Sequence, residues 1–134
     1  VRAEQESAIE RARQLLQDVG LWNHANEAAG NLSGGQKKLL EISRALMQDP
    51  AIILLDEPAA GVSPMMIKVL GETILRLRAQ GITFAIIEHD MDVALRVAES
   101  VTMMHNGRVF KEGTPEEIEN DAEVQELYLG DGHG

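Results

Sequence analysis

The chain has 134 residues, of which 44% are hydrophobic, and it carries a formal net charge of -10 with no cysteine. This length and composition predict one globular domain or a piece of one. The acidity argues against sequence-independent nucleic-acid binding, which depends on Lys and Arg, and no apolar run approaches the roughly 18 residues of a membrane span. Without cysteine, disulfides and thiolate metal sites are excluded, which is compatible with a cytosolic protein.

The first part of the chain is predicted to be helical. Residues 4–19 carry apolar side chains at helical spacing, and Gly20 follows as a stop signal. Residues 21–30 lack a regular pattern, so we interpret Trp22 as a packing anchor and His24 as a surface residue. The apolar side chains of the predicted helix include Ile9, Ala12, Leu16 and Val19.

Two glycines follow Ser33, the predicted N-cap of a second helix that runs to about residue 49. Gly34 and Gly35 each cost about 1 kcal/mol of helix stability relative to Ala. One interpretation is an ordinary cap that contains glycine. The other is a turn that lets an anion approach backbone N–H groups at the positive end of the helix. The turn alone leaves these interpretations evenly balanced.

Two apolar runs of strand length end in polar residues. Residues 51–55 precede Asp56 and Glu57, and residues 83–87 precede Glu88 and His89. Continuous apolar runs favour strands that are covered on both faces of a parallel sheet, and ligands bind at the carboxyl ends of such strands. The alternatives are polar strand exits and a packing histidine. Together with the glycine turn, the carboxylates indicate a surface that handles phosphate and a metal.

The remaining elements complete an α/β pattern. Ser63 and Pro64 predict the start of a helix that stops before Gly81, and residues 91–98 predict another. Asn106-Gly107 predicts a hairpin turn between residues 101–104 and 108–111. A capping box then begins a short helix, and a last helix spans residues 121–129. The capping-box residues are Thr114 and Glu117, and the last helix carries Val124, Leu127 and Tyr128 on one side.

Three motifs occur in a fixed order: LSGGQ at residues 32–36, IILLDEP at residues 52–58 and IEHD at residues 87–90. In these motifs the chain resembles the second half of the ATP-binding cassette (ABC) domain, most closely in ATPase subunits of branched-chain amino acid importers. The resemblance implies an α/β fold: the C-terminal part of a RecA-like P-loop NTPase core, with a mainly parallel sheet, helices and a terminal hairpin. Residues 1–49 would be the remainder of the helical subdomain, and residues 50–134 the C-terminal part of the core.

The resemblance also implies roles for individual residues and ATP and Mg²⁺ as cofactors. Asp56 would bind Mg²⁺ through water, Glu57 would orient or deprotonate the attacking water, and His89 would contact the γ-phosphate. The signature motif would contact the γ-phosphate of ATP held by the neighbouring subunit. The signature residues are Ser33, Gly34, Gly35 and Gln36, and the dimer-facing D-loop contains Ala60, Gly61 and Ser63.

The chain departs from the family pattern in two ways. Ser63 stands where many relatives have an aspartate, which puts an aspartate-based link between the two nucleotide sites in doubt. The phosphate-loop pattern Gly-x-x-x-x-Gly-Lys-Ser/Thr and the glutamine loop are both missing. The resemblance therefore implies a C-terminal portion of a longer cassette that hydrolyses no ATP by itself. Because flanking strands would be missing, marginal stability or aggregation is expected.

The function implied is an ATPase that drives amino-acid uptake through a membrane permease. Its partners would be a second ATPase subunit, in a homo- or heterodimer, the permease subunits and, indirectly, a substrate-binding protein. It would lie in the cytoplasm on the inner face of the cell membrane, without a nucleic-acid partner. Alternatives are a transporter for urea, short amides or lipopolysaccharide, a soluble cassette protein of DNA repair or translation, and an α/β interaction domain without a nucleotide.

Overall fold

The computed structural model describes residues 1–131 and the side chains of residues 1–128. Within them the chain forms two compact units, one spanning Val1–Glu88 and a second that begins at His89. The first unit contains α1 (Arg2–Asp18), α2 (Gly34–Leu46), β1 (Ile52–Asp56), α3 (Pro64–Ala79) and β2 (Thr83–Ile87). The second contains α4 (Met91–Val97), β3 (Val101–His105), β4 (Arg108–Gly113), α5 (Pro115–Glu119) and α6 (Ala122–Asp131).

Arg11 of helix α1 contacts the C-terminal end of α2. The Arg11 guanidinium donates to the carbonyl of Leu46 at 2.7 Å and to the Asp49 carboxylate at 2.6 Å. A cation at this end of α2 also complements the negative end of the helix dipole. The predicted stop at Gly20 is confirmed, since its φ of 73° lies in the left-handed region. The predicted apolar stripe is only partly covered, because Ile9 is 64% exposed.

The core of the first unit lies between α2 and α3. Each helix directs apolar residues at spacings of three or four into it, as amphipathic helices do. Two short 3₁₀ turns, Trp22–His24 and Ala29–Asn31, lead from α1 to α2 in the segment predicted to be irregular. The most deeply buried apolar side chains of the two helices are Leu39, Ile42, Leu70, Ile74 and Leu77.

Strands β1 and β2 pair in parallel, with Ile52 opposite Thr83 and Asp56 opposite Ile87. The predicted parallel pairing is therefore confirmed. The prediction that both strands are covered on both faces is wrong for this chain. Side chains alternate between the faces of a strand, and Ile53 is buried whereas Leu54 is 75% exposed.

The second unit is built on an antiparallel hairpin. Strands β3 and β4 meet at Asn106 and Gly107, whose φ values of 49° and 74° suit the predicted type I′ turn. Ile118 of α5 and Val124 of α6 are buried in this unit. Val124 and Tyr128 are four positions apart in α6 and so lie on one side of it, as predicted, although Tyr128 is 55% exposed. None of the helices within residues 1–131 combines the length and apolarity needed to cross a membrane.

Candidate functional site

The register of the parallel pair brings three acidic residues to the same edge of the first unit. Asp56 is the last residue of β1 and lies opposite Ile87, the last residue of β2. Glu57 and Glu88 follow directly, one on each strand. Asp56 and Glu57 are both exposed. Their carboxylates are therefore accessible to a ligand at the carboxyl end of the sheet, as the sequence predicts.

The backbone of Glu57 is held in an unusual conformation. Its φ is 46°, in the left-handed region that costs a non-glycine residue about 1 kcal/mol. Its N–H donates to the carbonyl of Ile87 at 2.8 Å, which continues the ladder of the two strands by one bond. This hydrogen bond helps to fix the direction in which the chain leaves β1. Strain of this kind is common where a side chain must be aimed at a reaction.

Glu88 secures the loop that follows Glu57. Its carboxylate accepts a hydrogen bond from the backbone N–H of Ala59 at 2.9 Å, although the two residues are 29 positions apart. Within the loop, the N–H of Ala60 donates to the carbonyl of Glu57 at 3.1 Å, and Gly61 has a φ of 69°. Glu88 is thus a positioning residue that our sequence interpretation gave no role. The position of Glu88 at the end of a strand could have marked it as a candidate. Nothing in the sequence indicates that its partner is the backbone N–H of Ala59.

The turn at Ser33 is a complete capping box. The Ser33 hydroxyl accepts from the N–H of Gln36 at 3.2 Å, and the Gln36 side-chain carbonyl accepts from the N–H of Ser33 at 2.9 Å. The cap predicted at Ser33 is confirmed. Gln36 closes the turn through both its backbone N–H and its side chain. This box leaves the hydroxyl hydrogen of Ser33 available as a donor, because the hydroxyl acts only as an acceptor within the box.

Close packing explains why glycine follows Ser33. A Cβ on Gly35 would lie 2.6 Å from Cβ of Met66 in α3, and a Cβ on Gly34 would lie 3.3 Å from the carbonyl oxygen of Gly61. Gly35 is buried and Gly34 is exposed. The start of α2 therefore packs directly against the loop and helix that follow Glu57. The sequence showed that both glycines cost helix stability, but it gave no sign of this packing.

The remaining predicted residues take different positions. Ser63 caps α3, where its hydroxyl accepts from the N–H of Met66 at 3.4 Å. Ala60, Gly61 and Ser63 are exposed, so the D-loop residues lie at the surface. His89 is also exposed, and it is the first residue of the second unit. The first unit thus brings together the loop after β1, the end of β2 and the start of α2.

The donor set fits a magnesium ion that a nucleotide helps to hold. Mg²⁺ usually keeps several waters and takes only one or two carboxylates together with phosphate oxygens. Asp56 and Glu57 supply two exposed carboxylates, and the described side chains, those of residues 1–128, include no group of three or more that could hold a metal ion. This edge therefore has too few protein ligands to enclose a metal ion by itself. It suits an ion that arrives with its nucleotide.

Comparison with known proteins agrees with this geometry. Residues 2–60 match the ABC transporter family model, and residues 112–134 match the model of the branched-chain amino acid ATP-binding cassette transporter. The chain is 43% identical over 131 residues to a probable branched-chain amino acid transport ATP-binding protein LivG from Methanocaldococcus jannaschii. It is 40% identical over 131 residues to the high-affinity LivG protein of Escherichia coli. These alignments cover 95% and 97% of this chain and 51% of each relative.

Solved structures give the same answer for the fold. A crystal structure of the ADP conformation of an ATP-binding cassette of an ABC transporter superimposes with a TM-score of 0.83 at 40% identity, over 92% of this chain and 50% of that one. A nucleotide-free ATP-binding cassette gives a TM-score of 0.83 at 42% identity. The chain spans about half the length of the curated relatives it matches. By sequence and by fold, this chain belongs to the ATP-binding cassette family and is homologous to the LivG branched-chain amino acid transport ATP-binding proteins.

Proposed function

We propose that this chain is part of an ABC subunit. The whole subunit hydrolyses ATP and thereby drives the import of branched-chain amino acids. One observation carries the proposal: a capped helix start and two strand-end carboxylates lie in the same compact unit. Ser33 begins α2, Glu57 follows β1, and the glycine contacts at Gly61 and Met66 join the two. The match of residues 112–134 to the branched-chain transporter model supports the substrate class.

Each acidic residue has a separate task in this proposal. Asp56 holds Mg²⁺ through water, and the ion neutralises charge on the phosphates when it is bound. Glu57 orients the attacking water and accepts its proton, because it follows the strand end and its backbone is fixed by Ile87. His89 contacts the γ-phosphate and stabilises the charge that develops there. The proposed roles agree with the exposure of all three side chains.

The signature turn serves the nucleotide of a second subunit. The first N–H groups of a helix lack intrahelical partners and bind anions, and the Ser33 hydroxyl adds a donor. Without a Cβ, Gly34 lets the start of α2 lie close to the carbonyl oxygen of Gly61, and Gly35 lets it pack on Met66. Ala60, Gly61 and Ser63 face the same neighbour. The complex therefore contains two ATP-binding subunits, in a homo- or heterodimer.

The full assembly adds a membrane permease and, indirectly, a substrate-binding protein. The subunit works in the cytoplasm, on the inner face of the membrane. Residues 1–49 complete the helical subdomain, and residues 50–134 belong to the catalytic core. The subunit acts on no nucleic acid, in keeping with its net charge of -10.

Glu57→Gln in the full-length subunit tests the proposal. We expect ATP hydrolysis to fall by about 10²-fold or more, because the variant cannot accept the proton of the attacking water. Glu41→Gln is the matched control, since Glu41 is an exposed acid on α2 that pairs only with Lys38 among the ion pairs described here. Full activity in Glu57→Gln would overturn the assignment of the general base.

Uptake assays in cells distinguish branched-chain amino acids from urea as the transported substrate. Cells that carry Glu57→Gln should lose uptake of leucine, isoleucine and valine and keep uptake of urea. Loss of urea uptake alone would contradict the proposed substrate class. The present chain, which lacks the phosphate-loop motif, should hydrolyse no ATP on its own. Hydrolysis by the isolated chain that Glu57→Gln abolishes would contradict that part of the proposal.

A further inference from the structure

His24 lies beside the signature turn and contacts two different side chains. It ends the 3₁₀ turn Trp22–His24, and its side chain is 34% exposed. Its Nδ1 lies 3.1 Å from a carboxylate oxygen of Glu27, and its Nε2 lies 3.2 Å from the side-chain nitrogen of Gln36. The sequence predicted a plain surface residue at this position. The structure shows instead that His24 connects the loop before α2 to the glutamine of the capping box.

The capping box determines which way the Gln36 amide points. Its carbonyl oxygen accepts from the N–H of Ser33 at 2.9 Å, so its NH₂ group faces His24. A flipped amide would place NH₂ against the Ser33 N–H, which is a contact between two donors. The hydrogen bond to Ser33 therefore fixes the amide nitrogen as a donor toward the histidine.

The same reasoning fixes the position of the ring proton. Because the Gln36 amide nitrogen donates, Nε2 of His24 must accept. The ring proton then resides on Nδ1, from which it is donated to Glu27 at 3.1 Å. One arrangement of hydrogens satisfies every contact from Glu27 to Ser33. A simple His24–Glu27 ion pair with a proton on both nitrogens would set Nε2–H against the Gln36 NH₂ group.

We propose that His24, oriented by Glu27, is a positioning residue for the signature turn. It holds the Gln36 amide in the one orientation that binds the Ser33 N–H, and so it fixes the direction in which Ser33 presents its hydroxyl to the γ-phosphate of the neighbouring subunit. The contact with the γ-phosphate rests on the proposed function. The hydrogen-bond chain from Glu27 to Ser33 does not, so the two are tested separately.

Nitrogen-15 NMR of the histidines in the full-length subunit tests the hydrogen-bond chain directly. We expect the Nδ1–H form of His24, and His24→Ala should speed hydrogen exchange at the Ser33 amide by about 2- to 10-fold, the effect of one lost hydrogen bond. A His24 ring protonated on Nε2 alone, or an unchanged Ser33 exchange rate in His24→Ala, would overturn the proposal.

Steady-state kinetics of ATP hydrolysis test the consequence. His24→Ala should raise the KM for ATP by about 2- to 10-fold with little change in kcat, because a loosened turn weakens ground-state and transition-state binding alike. Glu27→Gln keeps an acceptor for Nδ1–H and should behave as the parent, whereas Glu27→Ala should resemble His24→Ala. Glu41→Ala breaks the Lys38–Glu41 pair on α2, the helix that carries Gln36, and is the matched control.

The outcomes separate the two ideas. If the full-length subunit hydrolyses no ATP but the NMR results hold, the proposed function fails and the positioning of Gln36 stands. If hydrolysis depends on Glu57 while KM stays unchanged in His24→Ala and Glu27→Ala, the positioning role fails and the proposed function stands. Equal changes in Glu27→Gln and Glu27→Ala would also contradict the role given to Glu27.

Discussion

Two helices of this protein begin with the same device and use it differently. Ser33 and Gln36 form a capping box at the start of α2, and Thr114 and Glu117 form one at the start of α5. The distances nearly coincide: 2.9 and 3.2 Å in the first box, 2.8 and 3.2 Å in the second. Local geometry therefore does not distinguish a proposed phosphate-binding helix start from a structural one.

The difference lies in what surrounds each box. The α2 box ends in a neutral amide whose nitrogen reaches His24, whereas the α5 box ends in a carboxylate. A carboxylate neutralises the positive end of the helix dipole, but a neutral amide leaves it available to an anion. The residues at the first helical positions differ too: glycines in α2, and Pro115 in α5. Charge and backbone access, not the cap itself, separate the two helix starts.

Gly35→Ala should break the α2 start most strongly. The new Cβ would lie 2.6 Å from Cβ of Met66, and overpacking of this kind costs about 1–3 kcal/mol even after a gain in helix propensity. Urea unfolding of the full-length subunit measures the loss. Gly34→Ala is the control, since its Cβ would meet only the Gly61 carbonyl oxygen at 3.3 Å.

Gly35→Ala should cost less stability in a subunit that also carries Met66→Gly, because the clash is with the Cβ of Met66. A double-mutant cycle of Gly35→Ala and Met66→Gly should therefore show coupling of about 0.5–3 kcal/mol. If Gly35→Ala proves as stable as the parent, the close packing of α2 on α3 is refuted.

Removing the two cap hydroxyls should have equal effects on stability and unequal effects on activity. Ser33→Ala and Thr114→Ala each lose a cap that accepts an N–H at 3.2 Å, which costs about 1 kcal/mol. Ser33→Ala alone should also lower kcat/KM for ATP by about 10- to 100-fold, because a hydrogen bond to a charged group is lost. Thermal unfolding and ATP hydrolysis measured on both variants make the comparison. Equal loss of activity in both would show that Ser33 acts through stability only.

Exchanging the acids and amides of the two boxes should change stability by only a few tenths of a kcal/mol. Glu117→Gln removes a carboxylate from the start of α5, and Gln36→Glu adds one to the start of α2. Gln36→Glu should nevertheless raise the KM for ATP, because its carboxylate repels phosphate and can no longer donate to His24. Activity should be unchanged in Glu117→Gln. An unchanged KM in Gln36→Glu would argue that no anion approaches the start of α2.

The two boxes also show how far the sequence alone could reach. Both caps, the Asn106-Gly107 turn and the stop at Gly20 follow from residues within about four positions of one another, and all were predicted correctly. The contacts that shape the candidate site join distant residues: Gln36 with His24, Glu88 with Ala59, and Gly35 with Met66. Their side chains carry no periodic signal, so sequence patterns could not pair them.

The strands illustrate a second limit. The apolar runs of β1 and β2 correctly predicted a parallel pair, and the positions of Asp56 and Glu57 at the end of β1 followed from it. The runs also predicted cover on both faces, yet Ile52 and Leu54 are 52% and 75% exposed. The apolar side chains of a strand indicate which of its faces are suited to burial. They do not indicate whether the covering structure belongs to the same stretch of chain.

The start of a third helix, α6, carries a charged group, the Asp121 carboxylate, whose protonation depends on pH. The Asp121 carboxylate accepts from the N–H groups of Glu123 and Val124 at 2.9 and 3.0 Å and pairs with Lys111 at 3.1 Å. The Val124 N–H, followed by Lys111, lowers the pKa of Asp121. Hydrogen bonds to Glu123 and Asp121 raise the pKa of Lys111. The attachment of α6 to β4 therefore has an acidic and an alkaline limit.

The smallest expected effect is the loss of the contact between Asp121 and Lys111, which attaches α6 to β4, at low and at high pH. A carboxyl with a lowered folded-state pKa stabilises the fold above its unfolded pKa, so the contribution of Asp121 should disappear as pH falls through the folded value, below 3.8. Lys111 should contribute until pH rises through its raised pKa, above 10.5. Hydrogen exchange in α6, followed against pH in the parent and in Lys111→Met, measures both limits. Because Asp121 and Lys111 are still partly exposed, the change should be smaller than that of any cap variant. A Lys111→Met variant indistinguishable from the parent at neutral pH would show that the Asp121 cap holds α6 without the lysine.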